Sequence, residues 1–576
     1  MTSSINKSVT KKKKSLKARK PASAEAADRK PSDMFLTNDR ANEANKNTEA
    51  DRSSNKLANL VSPTEELKAL VTLYKSGKFE DAVAGAEAML AVFPNSSDIL
   101  NLLGTANSVL HRYDLAIETY RRILKIDPKN ALVYNNMGNA FRGKGDLETA
   151  IDCYQKALKI NPSDVNSHNN LGVALTEVEN FDDALKYLWK SLKIQPGNAN
   201  THCKIGTTLV KKGELDQAIQ SFEKALEIDP NLLEAHNNMG VAFDSKGALK
   251  AAIASYDKTI AIDPLNVTAH FDKALLLLKL QDFKAGWPMY EYRWKKSKFN
   301  SVPIVTSRPK WRLGDQNRVL VWGEQGLGDE VMFASLIPDL YAACSHLIIR
   351  ADKRLIPIFK RSFPADIEYY TNAETVSEKS HDAHIAAGSL PKYFRQTLAS
   401  YEKAAQGYLS ADKAKTAVLR DKLLGDEDEI LIGLSWHSTS NRMFAQKRRI
   451  PLGQLATMFH ATNVKFVSLQ YGNVTAEINQ VKKEHGIDVA QVAEIDNFHD
   501  IDGLAALISA CDRIISIDNV TVHLAGALGK ATDALLPRVN SWRWGLDPNN
   551  SYWYRSVRLR RQTEREDWGE VLAQFS

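Results

Sequence analysis

The two halves of the chain differ in the spacing of their hydrophobic positions. Up to about residue 300, apolar residues recur every three or four positions, which predicts amphipathic helices joined by short polar turns. From residue 316 onward, short apolar runs such as RVLVW and HLIIRA alternate with longer helical patterns. That alternation predicts parallel β-sheets with helices packed on both faces.

A period of 34 residues organises the first half, as the copy LVYNNMGNAFRGKGDLETAIDCYQKALKINPSDV at 132–165 illustrates. Glycine and alanine at fixed offsets predict two closely packed helices in each unit, and a proline then ends the second helix. The period resembles that of the tetratricopeptide repeat, whose units stack because one unit alone cannot bury its apolar face. The phase predicts six complete units from about Pro63 to Val267 and a divergent seventh from Thr268. The prolines in phase are Pro94, Pro128, Pro162, Pro196, Pro230 and Pro264.

A stacked solenoid has a concave groove, and in this family the residue two positions before the repeat glycine lies on the helix that lines it. That position holds Asn136, Asn170 and Asn238, with Lys204 interrupting the series. An asparagine side chain both donates and accepts hydrogen bonds, so a ladder of them can hold the backbone of an extended peptide. The alternative interpretation is that these are ordinary polar surface positions.

Four motifs mark the second half: GEQGLGDEVMFAS, GLSWHS, SLQYG and ISIDNVTVHLAGALGK. In this order and spacing they resemble glycosyltransferases with two Rossmann-like domains, most nearly the ADP-heptose lipopolysaccharide heptosyltransferase group. The arrangement of repeats followed by a transferase is similar to that of O-GlcNAc transferase. The resemblance implies an inverting, metal-independent transfer from a nucleotide-sugar co-substrate, with no further cofactor.

The predicted fold class is α plus α/β, an N-terminal tetratricopeptide α-solenoid followed by a GT-B-type pair of Rossmann-like α/β domains. Residues 1–60 are predicted to be a disordered basic tail, and residues 61–300 a solenoid of about seven units. Residues 316–427 are the predicted acceptor domain, and residues 428–576 the nucleotide-sugar domain.

The stretch GEQGLGDE joins a predicted strand to a predicted helix, but it lacks the Lys-Ser/Thr ending of a phosphate-binding loop. Gly326 and Gly328 are predicted to give this turn its tight backbone geometry near the acceptor. Asp329 then opens the helix. The resemblance implies that Asp329 is the catalytic base for the acceptor hydroxyl, which requires a carboxylate within hydrogen-bond reach. The alternative is a plain helix cap.

The donor site is predicted around the helix that follows the strand RIIS, because a helix N-terminus offers free N–H groups to an anion. Basic side chains near GLSWHS are expected to stabilise the departing diphosphate. The alternatives are a capped helix with a buried histidine, a solvated basic loop and simple turn residues. The residues implied are Ser435, His437, Arg442, Lys447, Arg448, Gln470, Asp518, Asn519, Thr521 and His523. Asp502 is predicted to cap the preceding helix.

Charge and cysteine content narrow the class of protein. The formal net charge of +7 comes from the first 30 residues, which hold ten Lys/Arg and two Asp/Glu. A solvated tail is one interpretation of KKKKSLKARK, and contact with nucleic acid or an anionic membrane is the other. No apolar run reaches the roughly 20 residues of a membrane span. Four widely spaced cysteines fit a cytoplasmic location and argue against a disulfide framework or a zinc site.

Two functions therefore compete. One is a glycosyltransferase that acts on a protein or glycan acceptor recruited by the repeats. The other is a protein-interaction scaffold with a degenerate transferase domain. The expected partners are a nucleotide-sugar donor and a protein or peptide in the repeat groove. Specific nucleic-acid binding is not expected, because nothing beyond the tail is both basic and aromatic in the required way.

Overall fold

A computed structural model describes residues 64–297, 299, 301–402, 406–424, 429–438, 448–456, 463–563 and 567–575. The predicted basic tail at residues 1–60 lies outside the described residues. The chain divides into two compact units, the first ending at Asn238 and the second beginning at Met239. Within the described ranges, no helix combines the length and apolar composition that a membrane crossing requires.

The repeats form helix pairs, and the predicted solenoid of about seven units is confirmed. Its helices are α1 (Thr64–Lys75), α2 (Phe79–Val92), α3 (Ser97–Val109), α4 (Tyr113–Ile126), α5 (Ala131–Lys144), α6 (Leu147–Ile160), α7 (Val165–Glu177), α8 (Phe181–Ile194), α9 (Ala199–Lys212), α10 (Leu215–Ile228), α11 (Leu233–Lys246), α12 (Leu249–Ile262), α13 (Val267–Lys279) and α14 (Phe283–Tyr290).

The repeat glycines are small because a large side chain sixteen residues later packs directly on them. A Cβ added to Gly138 would lie 2.6 Å from Tyr154 Cε1, well inside van der Waals contact. Any side chain at these positions would therefore push the two helices of a unit apart. The pairs are Gly104 with Tyr120, Gly138 with Tyr154, Gly172 with Leu188, Gly206 with Phe222 and Gly240 with Tyr256.

One residue in the turn of each unit has a positive φ, and glycine fills this position in only some units. His111, Glu179 and Gln281 adopt the same left-handed conformation, with φ of 59°, 64° and 63°. This conformation costs a non-glycine residue about 1–2 kcal/mol. The packed helices on either side therefore determine the turn, and glycine only makes it less costly.

The second unit contains two parallel sheets, so the predicted parallel-sheet α/β region is confirmed. The first sheet has the order β3-β2-β1-β4. Its strands are β1 (Arg318–Trp322), β2 (His346–Ala351), β3 (Glu368–Thr371) and β4 (Ala383–Ala386). Its accompanying helices are α15 (Leu327–Phe333), α16 (Ile337–Ala342), α17 (Ile356–Ser362) and α18 (Pro391–Phe394). The next helix, α19 (Lys413–Leu423), packs against the helix Ile501–Ala510, which belongs to the second sheet.

The second sheet has the order β10-β9-β8-β5-β6-β7, and its strand pairs are all parallel. Its strands are β5 (Ile430–Ser435), β6 (Val464–Ser468), β7 (Val489–Ala490), β8 (Arg513–Ile517), β9 (Thr532–Leu536) and β10 (Val557–Arg561). Its helices are α20 (Leu452–Ala456), α21 (Thr475–His485), α22 (Ile501–Ala510), α23 (Val520–Ala527) and α24 (Gly569–Ala573).

The boundary between the compact units falls inside the repeats rather than at residue 300, because the last repeat helices are buried in the core of the second unit. Trp287 on α14 packs edge-on against Trp542, with ring centroids 5.4 Å apart. Just after α14, the fully buried Arg293 forms a two-bond ion pair with Glu324, at 2.9 and 2.7 Å. The repeats therefore end as part of the α/β region.

Candidate functional site

Two strand-to-helix turns of the second compact unit form the candidate site. In the first sheet, β1 leads through Gly323 and Gly326 into α15. In the second sheet, β8 leads through Asp518 and Asn519 into α23. Ligands of parallel α/β sheets bind beyond the carboxyl ends of the strands, where both of these turns lie.

The first turns of α15 and α23 are in contact, and Gly328 makes this possible. A Cβ added to Gly328 would lie 3.1 Å from His523 Cδ2 and 3.7 Å from Val520 Cα. Gly328 lies inside α15, not in the turn where the sequence placed it, and Gly326 is the N-cap. Gly328 therefore allows the two helices to approach closely.

Asp329 forms an ion pair with Arg543, which follows it by 214 residues. Arg543 donates from Nε to Asp329 Oδ1 at 2.9 Å and from Nη2 to the same oxygen. Among the described residues, Asp329 Oδ2 accepts no hydrogen bond. The side chains of Asp329 and Arg543 are 16% and 20% exposed. The helix-cap alternative for Asp329 is not what the structure shows, because Gly326 occupies the N-cap.

Arg543 is a site residue that the sequence analysis missed. Its Nη1 donates to Ser541 Oγ at 2.9 Å, and its guanidinium lies over the Trp542 ring, 4.9 Å from the centroid. Burial alone would lower the pKa of Arg543, but the Asp329 carboxylate outweighs this and raises it above its ordinary value. The local signal is an arginine between two tryptophans in SWRWG.

Asp518 holds Arg448 at the N-terminus of α23. Asp518 is buried, and its Oδ2 lies 2.9 Å from Arg448 Nη1. The same Nη1 donates to the Asp518 carbonyl oxygen at 3.0 Å. On its other side, Asp518 Oδ1 is 4.0 Å from His523 Nε2. The structure thus brings together the predicted residues Arg448, Asp518 and His523.

His523 is buried between aromatic rings at the contact of the two helices. Its ring stacks on Trp544 with centroids 5.3 Å apart, and its Nδ1 lies 3.1 Å from the Tyr554 hydroxyl. Burial lowers the pKa of His523 to about 4. The imidazole is therefore neutral at pH 7, and the positive charge nearby belongs to Arg448 and Arg543.

Asn519 is the N-cap of α23 and fixes the start of this helix. Its Oδ1 accepts from the Thr521 backbone N–H at 2.9 Å, and its Nδ2 donates to Ser435 Oγ at 2.8 Å. The Thr521 hydroxyl lies 3.5 Å from the same serine oxygen. Three predicted donor-site residues therefore join the ends of β5 and β8 through hydrogen bonds to one another.

Gln470 fixes the backbone that follows β5. Its Oε1 accepts from the backbone N–H groups of Trp436 and His437, at 2.9 and 3.0 Å. Burial lowers the pKa of the His437 imidazole, and Arg449 adds to this effect. The predicted donor residues Arg442 and Lys447 lie outside the described residues.

The predicted asparagine ladder lies between repeats. Asn136 donates from Nδ2 to Asn101 Oδ1 at 3.0 Å, and Asn170 donates to Asn135 Oδ1 at 2.8 Å. Asn238, which is half-buried, donates to Thr207 Oγ1 at 3.1 Å. Asn136 and Asn170 are only 3% and 4% exposed, so they do not present open amides. A peptide in the groove would have to replace these bonds.

Asp502 does not cap α22, as the sequence analysis expected. The cap is Asp500, whose Oδ1 accepts from the Gly503 N–H at 2.7 Å. Asp502 instead forms a two-bond ion pair with Arg361 of α17, at 2.7 and 2.9 Å. Asp500 has the non-helical backbone angles that an N-cap needs, whereas Asp502 already lies in the first turn of the helix.

Models of the tetratricopeptide repeat match the first half of the chain, at residues 67–131, 119–152, 138–178, 166–195, 206–247 and 233–264. These segments are therefore tetratricopeptide repeats, as the 34-residue period predicted. The matched segments end before the α/β region begins.

A curated relative is Protein FlbA of Caulobacter vibrioides, which is 31% identical over 309 residues. The match covers 50% of this chain and 51% of the relative, so the chain spans about half of the length of that protein. Among solved structures, MamA is 24% identical and matches 28% of this chain and 95% of its own, with a TM-score of 0.26. YrrB, described as a TPR protein with an unusual peptide-binding site, is 25% identical. It matches 33% of this chain and 98% of its own, with a TM-score of 0.27.

Proposed function

We propose that this chain is an inverting, metal-independent glycosyltransferase of the GT-B type, which transfers a sugar from a nucleotide-sugar to a protein or glycan acceptor recruited by the repeats. One observation carries the proposal. A carboxylate, Asp329, at the end of one parallel sheet faces the start of a helix at the end of the other. That helix start combines Arg448 with the positive end of the helix dipole, which suits an anionic leaving group.

In the proposed reaction, Asp329 accepts the proton of the acceptor hydroxyl through the oxygen that Arg543 leaves open. The acceptor oxygen forms a bond to the anomeric carbon as the bond from that carbon to the diphosphate breaks, which inverts the configuration. The electron pair leaves with the nucleoside diphosphate. The first turn of α23 and Arg448 stabilise the negative charge that develops there.

In the proposed reaction, Arg543 links donor binding to the state of Asp329. It is the only partner of Asp329 among the side-chain hydrogen bonds of the described residues. A bound diphosphate offers Arg543 an alternative anion, and guanidinium groups bind phosphate through paired N–H donors. Donor binding would then weaken the pair between Asp329 and Arg543, so that the Asp329 carboxylate becomes a stronger base when the donor is present.

The test is to incubate the full chain with a panel of nucleotide-sugars and measure the release of nucleoside diphosphate. The proposal expects release from at least one donor. Replacement of Arg448 with Ala should lower kcat, because the charge on the leaving group loses a cation. The matched control is Arg420→Ala, which removes a cation that pairs with Asp512 outside the site. An Arg448→Ala variant with unchanged kcat would remove this residue from the mechanism.

The second candidate is a protein-interaction scaffold whose transferase half has lost activity. The repeats and the match to Protein FlbA support it, because neither requires catalysis. Titration calorimetry separates the two functions. A scaffold with a degenerate site would bind none of the nucleotide-sugars in the panel, whereas the transferase would bind its donor even when no acceptor is present.

A further inference from the structure

A cleft of about 550 Å³ lies on the second helices of the third and fourth repeats, between α6 and α8. We call it the α6–α8 cleft. Its apolar lining includes Leu158 of α6 and Ile194 of α8, and Ile194 is 43% exposed. His168 lies at one edge, where its Nε2 bonds to the Pro162 carbonyl at 3.0 Å. Its volume is in the range of sites that hold small ligands or a few side chains.

Tyr187 distinguishes this cleft from the equivalent positions of the other repeats. Its ring is half-buried, lines the cleft and lies 5.9 Å from the His168 ring. The residues at the same repeat position are small and buried: Thr119, Cys153, Ser221 and Ser255. The solenoid therefore does not need an aromatic residue here, and Tyr187 calls for an explanation beyond packing.

Three lysines give the cleft a positive rim. Lys159, Lys190 and Lys193 line it, and none of its nine lining residues is acidic. Within the described parts of the chain, none of these lysines forms an ion pair, and Lys190 lies 5.1 Å from the centroid of the Tyr187 ring. One repeat further on, Glu227 takes the place of Lys193, so the charge is not a property shared by every repeat.

We propose that the α6–α8 cleft binds an acidic peptide segment of a partner protein, which inserts an aromatic or aliphatic side chain beside Tyr187. The unpaired lysines supply the charge complementarity, and the apolar residues supply the anchor pocket. The basic tail of this chain is unsuited, because its first 30 residues hold ten Lys/Arg. A nucleic acid fits less well, because it requires a longer basic track with stacking platforms.

This site is separate from the ladder of Asn136 and Asn170 and does not depend on the proposed transferase chemistry. Most of its lining lies on α6 and α8, the second helices of their units, and only His168 comes from α7. Neither Asn136 nor Asn170 lines the cleft, so a partner bound there would not contact the ladder. The failure of one site in an experiment therefore says nothing about the other.

The test begins with selection of random twelve-residue peptides on phage against the full chain, with subtraction on a Lys190→Glu/Lys193→Glu variant. Recovered peptides are then labelled, and their Kd is measured by fluorescence anisotropy. We expect peptides in which Asp or Glu flanks Phe, Trp or Leu. The double charge reversal should weaken their binding at least about tenfold, and the Kd should rise with salt.

The control variants are chosen by comparing the same position in different repeats. Lys224→Glu changes the lysine at the position of Lys190 in the next unit, and it should leave the Kd unchanged. Tyr187→Ser introduces the residue that two other repeats carry there, so folding is expected to persist while binding weakens. Circular dichroism checks the fold of each variant. Recovery of no acidic peptides, or equal binding by Lys190→Glu/Lys193→Glu, would overturn the proposal. Binding of a twelve-nucleotide DNA with no effect of Tyr187→Ser would overturn it too, in favour of a general polyanion site.

Discussion

Replacement of Arg293 with Met tests whether the buried ion pair that joins the last repeat to the first glycine turn stabilises the second unit. Arg293 is fully buried and donates to both oxygens of Glu324, at 2.9 and 2.7 Å. Its Nη2 also donates to Ser389 Oγ at 2.8 Å. The substitution leaves the buried Glu324 carboxylate without its cation, which costs about 3–5 kcal/mol of the free energy of unfolding.

A matched substitution sets the scale for this effect. Arg361→Met also breaks a two-bond pair, but Arg361 and Asp502 are 31% and 21% exposed. Water compensates most of that loss, so we expect about 1 kcal/mol or less. A double variant, Arg293→Met with Glu324→Gln, should recover part of the stability, because it removes both buried charges.

Urea denaturation followed by tryptophan fluorescence measures these differences in the full chain. The signal reports the second unit, because nine of the ten tryptophans lie after Met239 and only Trp189 lies before it. The shift in the midpoint, multiplied by the slope, gives the change in free energy. If Arg293→Met and Arg361→Met lower the midpoint equally, the inference that burial makes the Arg293 pair important is wrong.

Two further predictions concern stability. Burial raises the pKa of Glu330 from 4.5 to about 7, so the folded state holds this proton more tightly than the unfolded chain. The contribution of Glu330 to the free energy of unfolding is therefore complete below about pH 4.5 and is lost as the pH rises through about 7, a change of about 3 kcal/mol. Urea titrations at pH 5 and pH 8 measure this difference, and the Glu330→Gln variant should not show it. Gly138→Val should destabilise the first unit by about 1–3 kcal/mol, because its Cβ would lie 2.6 Å from Tyr154 Cε1. Thermal denaturation followed by circular dichroism measures this change. The control Gly197→Ala should have little effect in the same experiment, because a Cβ at Gly197 meets nothing within 4 Å.

The repeats could be predicted well because their signal is local and repeated. Each unit carries the same small residue at the same offset, so Gly138 and its equivalents report a contact sixteen residues away that recurs in phase. The same period did not show that asparagines such as Asn136 would pair with the preceding repeat. That outcome depends on how closely neighbouring units stack, which the residue type alone does not determine.

The strands of the α/β region were also predictable, with two exceptions that have physical causes. The strand β10 has the sequence VRLRR, whose three arginines leave it without a continuous apolar run. As an edge strand it tolerates charge, and Arg560 pairs with Asp533 of the neighbouring strand at 2.9 Å. The strand β7 is only two residues long, which is too short for a hydrophobic pattern to mark it.

The sequence indicated several residues of the candidate site, but not the ion pairs that join them. Asp518, Asn519 and His523 follow a strand and start a helix, which is a local pattern. The pairing of Asp329 with Arg543 crosses 214 residues and two sheets, and no spacing in the sequence encodes it. The same holds for Arg448, which bonds to Asp518 across 70 residues.

The most direct test of the proposed transferase is Asp329→Asn in the full chain, assayed for release of nucleoside diphosphate from the donor that the panel identifies. Asn keeps the size of the side chain but cannot accept the proton of the acceptor hydroxyl. We predict that turnover falls about 100-fold or more, while calorimetry shows that the donor still binds. Full turnover by the Asp329→Asn variant with the same donor would contradict the account.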